Sequence, residues 1–173
     1  MKDLRTYLFR DSGTIPNNQR LPVLYYVQAL SLSSPNPARD TERLLLRHGW
    51  QGTWVNGVFP YWHYHSRGHE VLCCTAGHAR LALGGSTGIE AEVIAGDVIL
   101  LPAGTGHKRL SASRDFLIVG GYPPHQFPDL LTEDPADRRR ALTQIPQTAL
   151  PTSDPIFGSR GPVFDHWLNP QPR

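Results

Sequence analysis

Two histidines one residue apart, a glutamate five residues on and a third histidine beyond a proline–glycine corner constrain this chain more than any other feature. Gly57 to Gly77 reads GVFPYWHYHSRGHEVLCCTAG. Alternate side chains of a strand share a face, so His63 and His65 are expected to point the same way. The intervening SRGH contains a glycine that turns the chain, so Glu70 opens a returning strand and faces the same space. Further on, Gly96 to Ser111 reads GDVILLPAGTGHKRLS. Pro102 ends the strand pairing, Gly104 and Gly106 permit a tight corner, and His107 starts the next strand. Three neutral imidazoles and one carboxylate suit Fe, Mn, Ni, Co, Cu or Zn, whereas Ca and Mg want oxygen. Four protein ligands leave two open positions on an octahedral ion, while tetrahedral Zn would be closed by the same four.

The first stretch resembles cupin motif one, G-x5-H-x-H-x4-E-x6-G, at Gly57, His63, His65, Glu70 and Gly77. The second resembles motif two, G-x5-P-x-G-x2-H-x3-N, at Gly96, Pro102, Gly104 and His107, and departs only where Ser111 replaces Asn. That Asn is not a metal ligand in typical cupins, so the departure leaves the ligand set intact and touches only its surroundings. The segments IPNN…LPVLYY, GWQGTWVNGVFPYWHYHS, HEVL, LALGGSTG, AGDVILLPAGTGHK, DFLIVGGYP and LPTSDPIFGSRGP resemble those of the YjlB-type cupins nearly end to end. The resemblance implies an all-β jelly-roll (double-stranded β-helix) barrel binding one divalent transition metal through His63, His65, Glu70 and His107. It implies no particular reaction.

Length and composition agree with that class. A chain of 173 residues suits one domain and buries roughly 70% of its unfolded surface. Sixteen Gly and sixteen Pro suit a turn-rich β protein. A net charge of +2 supplies no field for nucleic acid, and the run Arg138 to Arg140 is too short for a binding stripe. No stretch approaches the ~18 apolar residues of a membrane span. The charged start MKDLRTYLFRDSG lacks the apolar run of a secretory signal. Cys73 and Cys74, adjacent and so on opposite strand faces, are expected to be free thiols, which together with the missing signal points to the cytoplasm.

Along the chain, Leu4 to Phe9 and Leu21 to Val27 read as strands around the turn-rich DSGTIPNNQR. Asn36 as N-cap, Pro37 at the first helical position and Gly49 at the end spell a short helix. Short strands follow around Gly52 to Tyr64, Glu70 to Thr75, Ala79 to Leu83, Ala91 to Ile94, Val98 to Leu101 and Phe116 to Gly120. A second helix is expected after Asp134-Pro135. The chain reads as one cupin domain over 1–173, with a core barrel at about 50–122. The N-terminal strands and the C-terminal helix and tail are expected to pack around it.

Other residues carry weaker expectations. Tyr61 shares the phase of His63 and His65 and is expected to line the cavity, orienting a substrate or donating a proton; filling the core is the equal alternative. Glu70 doubles as ligand and base in a catalytic reading. His69 should point away from the ligands as a surface or inter-strand histidine, unless a one-residue register shift exchanges it with Glu70. Cys74 shares the face of Glu70 and is expected to be a buried, inert thiol. Thiol dioxygenases are cupins too, but Glu70 stands where they typically lack a glutamate. Lys108 and Arg109 read as surface charges, with the alternative that one meets an anionic substrate. Asp97 reads as a turn residue bonding local backbone N–H groups. The function expected is a metal-dependent enzyme on a small molecule, of oxygenase or isomerase-like type. The alternatives are a non-catalytic metal or ligand sensor and a vestigial site in a structural barrel. A homodimer is the default assembly.

Overall fold

Glu70, Leu72 and Cys74 point to one side of their strand and Val71 and Cys73 to the other, and all five are buried. A strand buried on both faces needs material on both sides of its sheet, and the chain supplies it asymmetrically. The computed structural model describes residues 1–169; the last four residues of the tail lie outside that range. Among the described residues nine strands form: β1 (Asp3–Tyr7), β2 (Val23–Val27), β3 (Gln51–Asn56), β4 (Glu70–Ala76), β5 (His78–Leu83), β6 (Ile89–Ile94), β7 (Val98–Leu101), β8 (His107–Ala112) and β9 (Leu117–Tyr122). They make a six-stranded sheet in the order β1-β2-β7-β4-β9-β3 and a three-stranded sheet in the order β6-β5-β8. Every pairing is antiparallel. The architecture is all-β, two antiparallel sheets with few short helices, as expected of a jelly roll.

The inner face of the six-stranded sheet meets the three-stranded sheet. Val23, Leu72, Cys74, Ile99 and Ile118 from the first share one core with Ala79, Leu81, Leu83 and Val93 from the second. The outer face of the large sheet carries Leu24, Tyr26, Val71, Cys73, Val98, Leu100 and Val119. It is covered by Leu45 and Trp50, at and just after helix α1 (Pro37–Arg47), and by Ile156, Val163 and Trp167 of the tail. Asn36 caps α1 by accepting from the Arg39 N–H at 3.1 Å, a contact worth about 1 kcal/mol. Leu45 is fully buried; truncating such a leucine to alanine costs about 2–5 kcal/mol. Helix α2 (Pro135–Gln144) starts at Asp134, whose carboxylate accepts from Ala136 N–H.

Two elements of the fold depart from the sequence expectations. The N-terminal strands do not merely pack around the barrel: β2 pairs directly with β7 and continues the large sheet. The strand expected over Gly52 to Tyr64 stops at Asn56, and Pro60, with no N–H to give a ladder, keeps the following stretch irregular. The chain then returns at isolated bridges between His63 and His107 and between Tyr64 and Leu131. The first of these bridges brings together two of the ligand-type histidines.

The tail is organised by one buried acid. Asp154 accepts hydrogen bonds from the N–H groups of Ile156 (2.9 Å), Phe157 (3.0 Å) and Val163 (3.1 Å) and from the Tyr26 hydroxyl (2.9 Å). Four donors satisfy both its oxygens, which is what permits a carboxylate in a core.

Candidate metal centre

His63 and His107 exchange backbone hydrogen bonds, His63 N–H to His107 O at 3.3 Å and His107 N–H to His63 O at 3.0 Å. Their rings lie with centroids 4.0 Å apart. His65 follows two residues on, and its carbonyl accepts from Gly104 N–H at 2.7 Å. The Pro102–Gly106 corner is therefore stitched to the histidine pair by the backbone itself. At Gly104 φ is +96° and a Cβ would fall 2.6 Å from Ile145 Cδ1 and 2.7 Å from the Asn17 carbonyl oxygen, so only glycine fits there.

The corner is also held from outside. Asn17 Oδ1 accepts from Gly106 N–H at 3.1 Å, and its amide donates to the carbonyls of Arg10 and Gly84. Asn18 donates to Ala103 O at 2.9 Å. His69, on the face opposite Glu70, is buried rather than superficial. Its Nδ1 accepts from Ala103 N–H at 2.9 Å, so Nε2 carries the proton and donates to Ala149 O at 3.1 Å. Burial holds this imidazole neutral, with its pKa pushed down to about 4.

All three ligand-type histidines have Nδ1 against a backbone carbonyl: His63 on Tyr61 O and His107 on Thr105 O, both at 3.0 Å, and His65 on Asp129 O. A carbonyl only accepts, so Nδ1 bears the hydrogen in each ring. In the neutral rings that leaves Nε2 as a bare lone pair. The histidine ligand atoms lie within 4.8 Å of one another. Glu70 joins them: its Oε2 is 3.2 Å from Nε2 of both His65 and His107. Neither approach has hydrogen-bond alignment, so Oε2 is a buried acceptor without a donor. Its other oxygen accepts from the Tyr122 hydroxyl at 2.9 Å, and that hydroxyl accepts in turn from Trp54 Nε1–H at 2.9 Å.

An orphaned carboxylate oxygen beside imidazole lone pairs is costly unless a cation joins it. Ligands at about 2.1 Å from one ion stand about 3 Å apart at right angles, close to the 3.2 Å found here. The residues fit a transition-metal ion. The electrostatics agree. Burial, aided by nearby His107, pushes the His63 pKa down to about 3. Burial would also lower His65, but the Glu70 charge outweighs it and raises His65 to about 9, so without a metal a proton on His65 supplies the positive charge that Glu70 draws. Burial raises Glu70, yet His65 and His107 together hold it well below the ordinary carboxylate range. Glu70 is thus ionised and draws positive charge to this point.

The site opens into a cavity of about 450 Å³ lined by the four ligand-type residues together with Trp54, Asn56, Val58, Phe59, Leu72, Arg109 and Tyr122, among others. Tyr61 is placed differently from the sequence expectation. It is 43% exposed, stacks on Phe59 and meets the His63 ring edge-on, so it stands at the rim while Phe59 forms the wall. Alternation from His63 fails there because this stretch is not a regular strand. Cys74 does lie on the inner face with Glu70, but beyond Leu72, and burial pushes its thiol up to about 12. Both cysteines are free. Lys108 turns outward over the Trp62 ring, 4.8 Å from its centroid. Asp97 bonds Ile94 N–H as expected and also Gln28 N–H and the Tyr25 hydroxyl.

Sequence reasoning missed Tyr122, Trp54, Asp129 and Asn17. Tyr122 had a usable signal: Ile118, Gly120 and Tyr122 share one phase of β9, and Ile118 is core. Asp129 had none, since its contributions come from a loop. Its carbonyl accepts from His65, and its carboxylate accepts from Ser66 N–H and Arg67 N–H. A second cavity, about 340 Å³, lies beyond His69 between Asn18–Leu21 and Ile145–Leu150. Both nitrogens of that histidine are already bonded, so this cavity presents no free ligand atom from it.

No protein-family model matches the chain. It is 42% identical over 170 residues to a Bacillus subtilis (strain 168) protein described as "Uncharacterized protein YjlB", covering 96% of this chain and 98% of that one. This chain belongs to the YjlB-type cupins. Solved structures overlay more loosely. Acireductone dioxygenase from Bacillus anthracis, with a cadmium ion in its active centre, is 18% identical with a TM-score of 0.42, covering 62% of this chain and 82% of that one. The dTDP-6-deoxy-D-glucose-3,5-epimerase RmlC from Legionella pneumophila is 12% identical with a TM-score of 0.36, covering 69% and 71%. Among the described residues, no helix of this YjlB-type cupin is long and apolar enough to cross a membrane.

Proposed function

We propose that this YjlB-type cupin holds one divalent transition metal through His63, His65, Glu70 and His107 and is an enzyme acting on a small molecule, of oxygenase or isomerase-like type. One observation carries the reading: three imidazoles with tautomers set by backbone carbonyls converge beside a buried carboxylate oxygen that has no donor. Such a metal would act as Lewis acid and as a template for substrate oxygens.

The chain's own groups do the rest. Trp54, Phe59 and Leu72 give the cavity apolar walls. Tyr122 holds Glu70 by Oε1 and leaves Oε2 facing the centre, where it serves as ligand and as a proton acceptor. Tyr61, exposed beside His63, is positioned to contact a substrate at the rim.

The test is elemental analysis of untagged protein purified without chelator, before and after loading. Near-stoichiometric Fe, Mn, Ni, Co or Cu supports the reading and directs a screen of oxygen uptake and chelating substrates. Stoichiometric Zn shifts it toward a closed site. Absence of metal after loading overturns it.

A further inference from the structure

Arg109 follows His107 by two residues on β8, and alternation puts its side chain on the same side of the strand. Its partners across the sheet agree: Leu81 lies opposite Arg109 and Leu83 opposite His107, and both leucines belong to the inner core. The guanidinium lines the metal cavity, with one terminal nitrogen 3.8 Å from where a side chain on Gly57 would begin. Its backbone N–H is used on Phe59 O at 2.9 Å. The side chain itself pairs with no carboxylate among the described residues, whereas Arg80 and Arg138 on the outer surface both do.

A half-buried guanidinium without a counter-ion is an unfinished interaction, since its donors are planar, fixed and always charged. The cavity around it compounds the imbalance. With a divalent ion in place, Glu70 cancels one of its two charges, and Arg109 adds another, so the cavity carries a surplus of about two positive charges. Whatever fills it must bring negative charge. The cavity also has apolar walls, with Val58, Phe59 and Leu72 among its lining residues. The space is small, near the lower end of the range for ligand pockets.

We propose that the substrate is a small organic acid with two separated parts: oxygens that chelate the metal and a carboxylate that pairs with the Arg109 guanidinium, joined by a short carbon chain along the apolar wall. This rests on the metal reading of the site. Arg109 is the specificity-determining residue, because its fork matches a carboxylate with two parallel hydrogen bonds.

The experiment uses cobalt-loaded protein and two hydroxamates of equal length, followed by visible absorption. Butyrohydroxamate presents a chelating head and a neutral tail; the monohydroxamate of succinic acid presents the same head with a carboxylate at the tail. The wild type is expected to prefer the carboxylate probe by about tenfold or more. Arg109→Gln should bind both alike, with cobalt content and melting temperature unchanged, and Arg109→Lys should keep part of the preference. A preference equal in Arg109→Gln and wild type, or no preference in the wild type, overturns the assignment. So does stoichiometric cobalt with neither probe bound. If Arg109→Gln does not fold, Arg109→Lys decides, and an undiminished preference there overturns the fork. A wild type that takes up no cobalt overturns the metal reading and this inference together, and metal content separates that outcome from the others.

Discussion

Tyr122 donates its hydroxyl hydrogen to Oε1 of Glu70 across 2.9 Å, and this bond decides which carboxylate oxygen is left for the centre. Trp54 completes the chain by donating to the same hydroxyl. The indole packs where any side chain on Gly120 would have to go, 2.0 Å from a Cβ built there. Glu70 is thus aimed by β9 and β3, the strands that flank it on one side of the sheet.

Tyr122→Phe should lower metal affinity about 10–100-fold while preserving the fold, as loss of a ligand's hydrogen-bond partner commonly does. Gly120→Ala should do the same by displacing Trp54. Competition titrations against a chelator measure both. An unchanged dissociation constant in Tyr122→Phe would show that Glu70 needs no such support.

His63→Ala and His107→Ala should each strongly reduce bound metal, because each removes a lone pair already oriented by its own backbone bond. His166→Ala should not. Its residue sits in the turn Phe164–Leu168, away from the centre. Metal per chain, measured side by side, checks all three; equal content would end the ligand assignment.

His69 predicts a pH dependence of stability. Its pKa is pushed down by burial to about 4, against 6.5 in the unfolded chain. Below 6.5 the unfolded state binds a proton that the folded state refuses. Its contribution is therefore fully present above that pH and is lost progressively as pH falls toward 4, by on the order of 3 kcal/mol. Urea unfolding of wild type and His69→Gln between pH 7 and 4.5 isolates it, since the ligand residues are common to both. Parallel curves would contradict the prediction.

Asp154→Ala should cost on the order of 3–5 kcal/mol, because it strands the buried N–H groups of Ile156 and Val163, the half-buried one of Phe157 and the Tyr26 hydroxyl. The expected signature is a lower urea midpoint with an unchanged slope and unchanged metal content in the folded protein. A cost below about 1 kcal/mol would mean the tail re-forms without its acid.

The four ligand-type residues that converge were legible in the chain because each sits on a local signal. His63 and His65 are adjacent in phase, Glu70 opens a strand after a glycine turn, and His107 follows a corner that Pro102 and Gly104 announce. Two of the three tautomers are local too: His63 and His107 each bond a carbonyl two residues back. The helix starts at Asn36 and Asp134 were equally readable, since a cap is a contact within one turn. Tyr61 was misplaced because period-two reasoning presumes a ladder, and Pro60 interrupts it.

What only the tertiary structure decided comes from pairings far apart in sequence. Tyr122 reaches Glu70 across 52 residues, Asp129 reaches His65 across 64, and Asn17 reaches the His107 corner across 89. Arg109 reads as an ordinary surface charge until β8 is placed against β5 and its side is known. Antiparallel sheets are assembled from such long-range registers, and a register is a property of two strands together. The sequence alone therefore determined which ligand-type residues come together. The fold determined which carboxylate oxygen, which imidazole nitrogen and which arginine face the same cavity, because direction follows from the partner strand and from the backbone groups it brings.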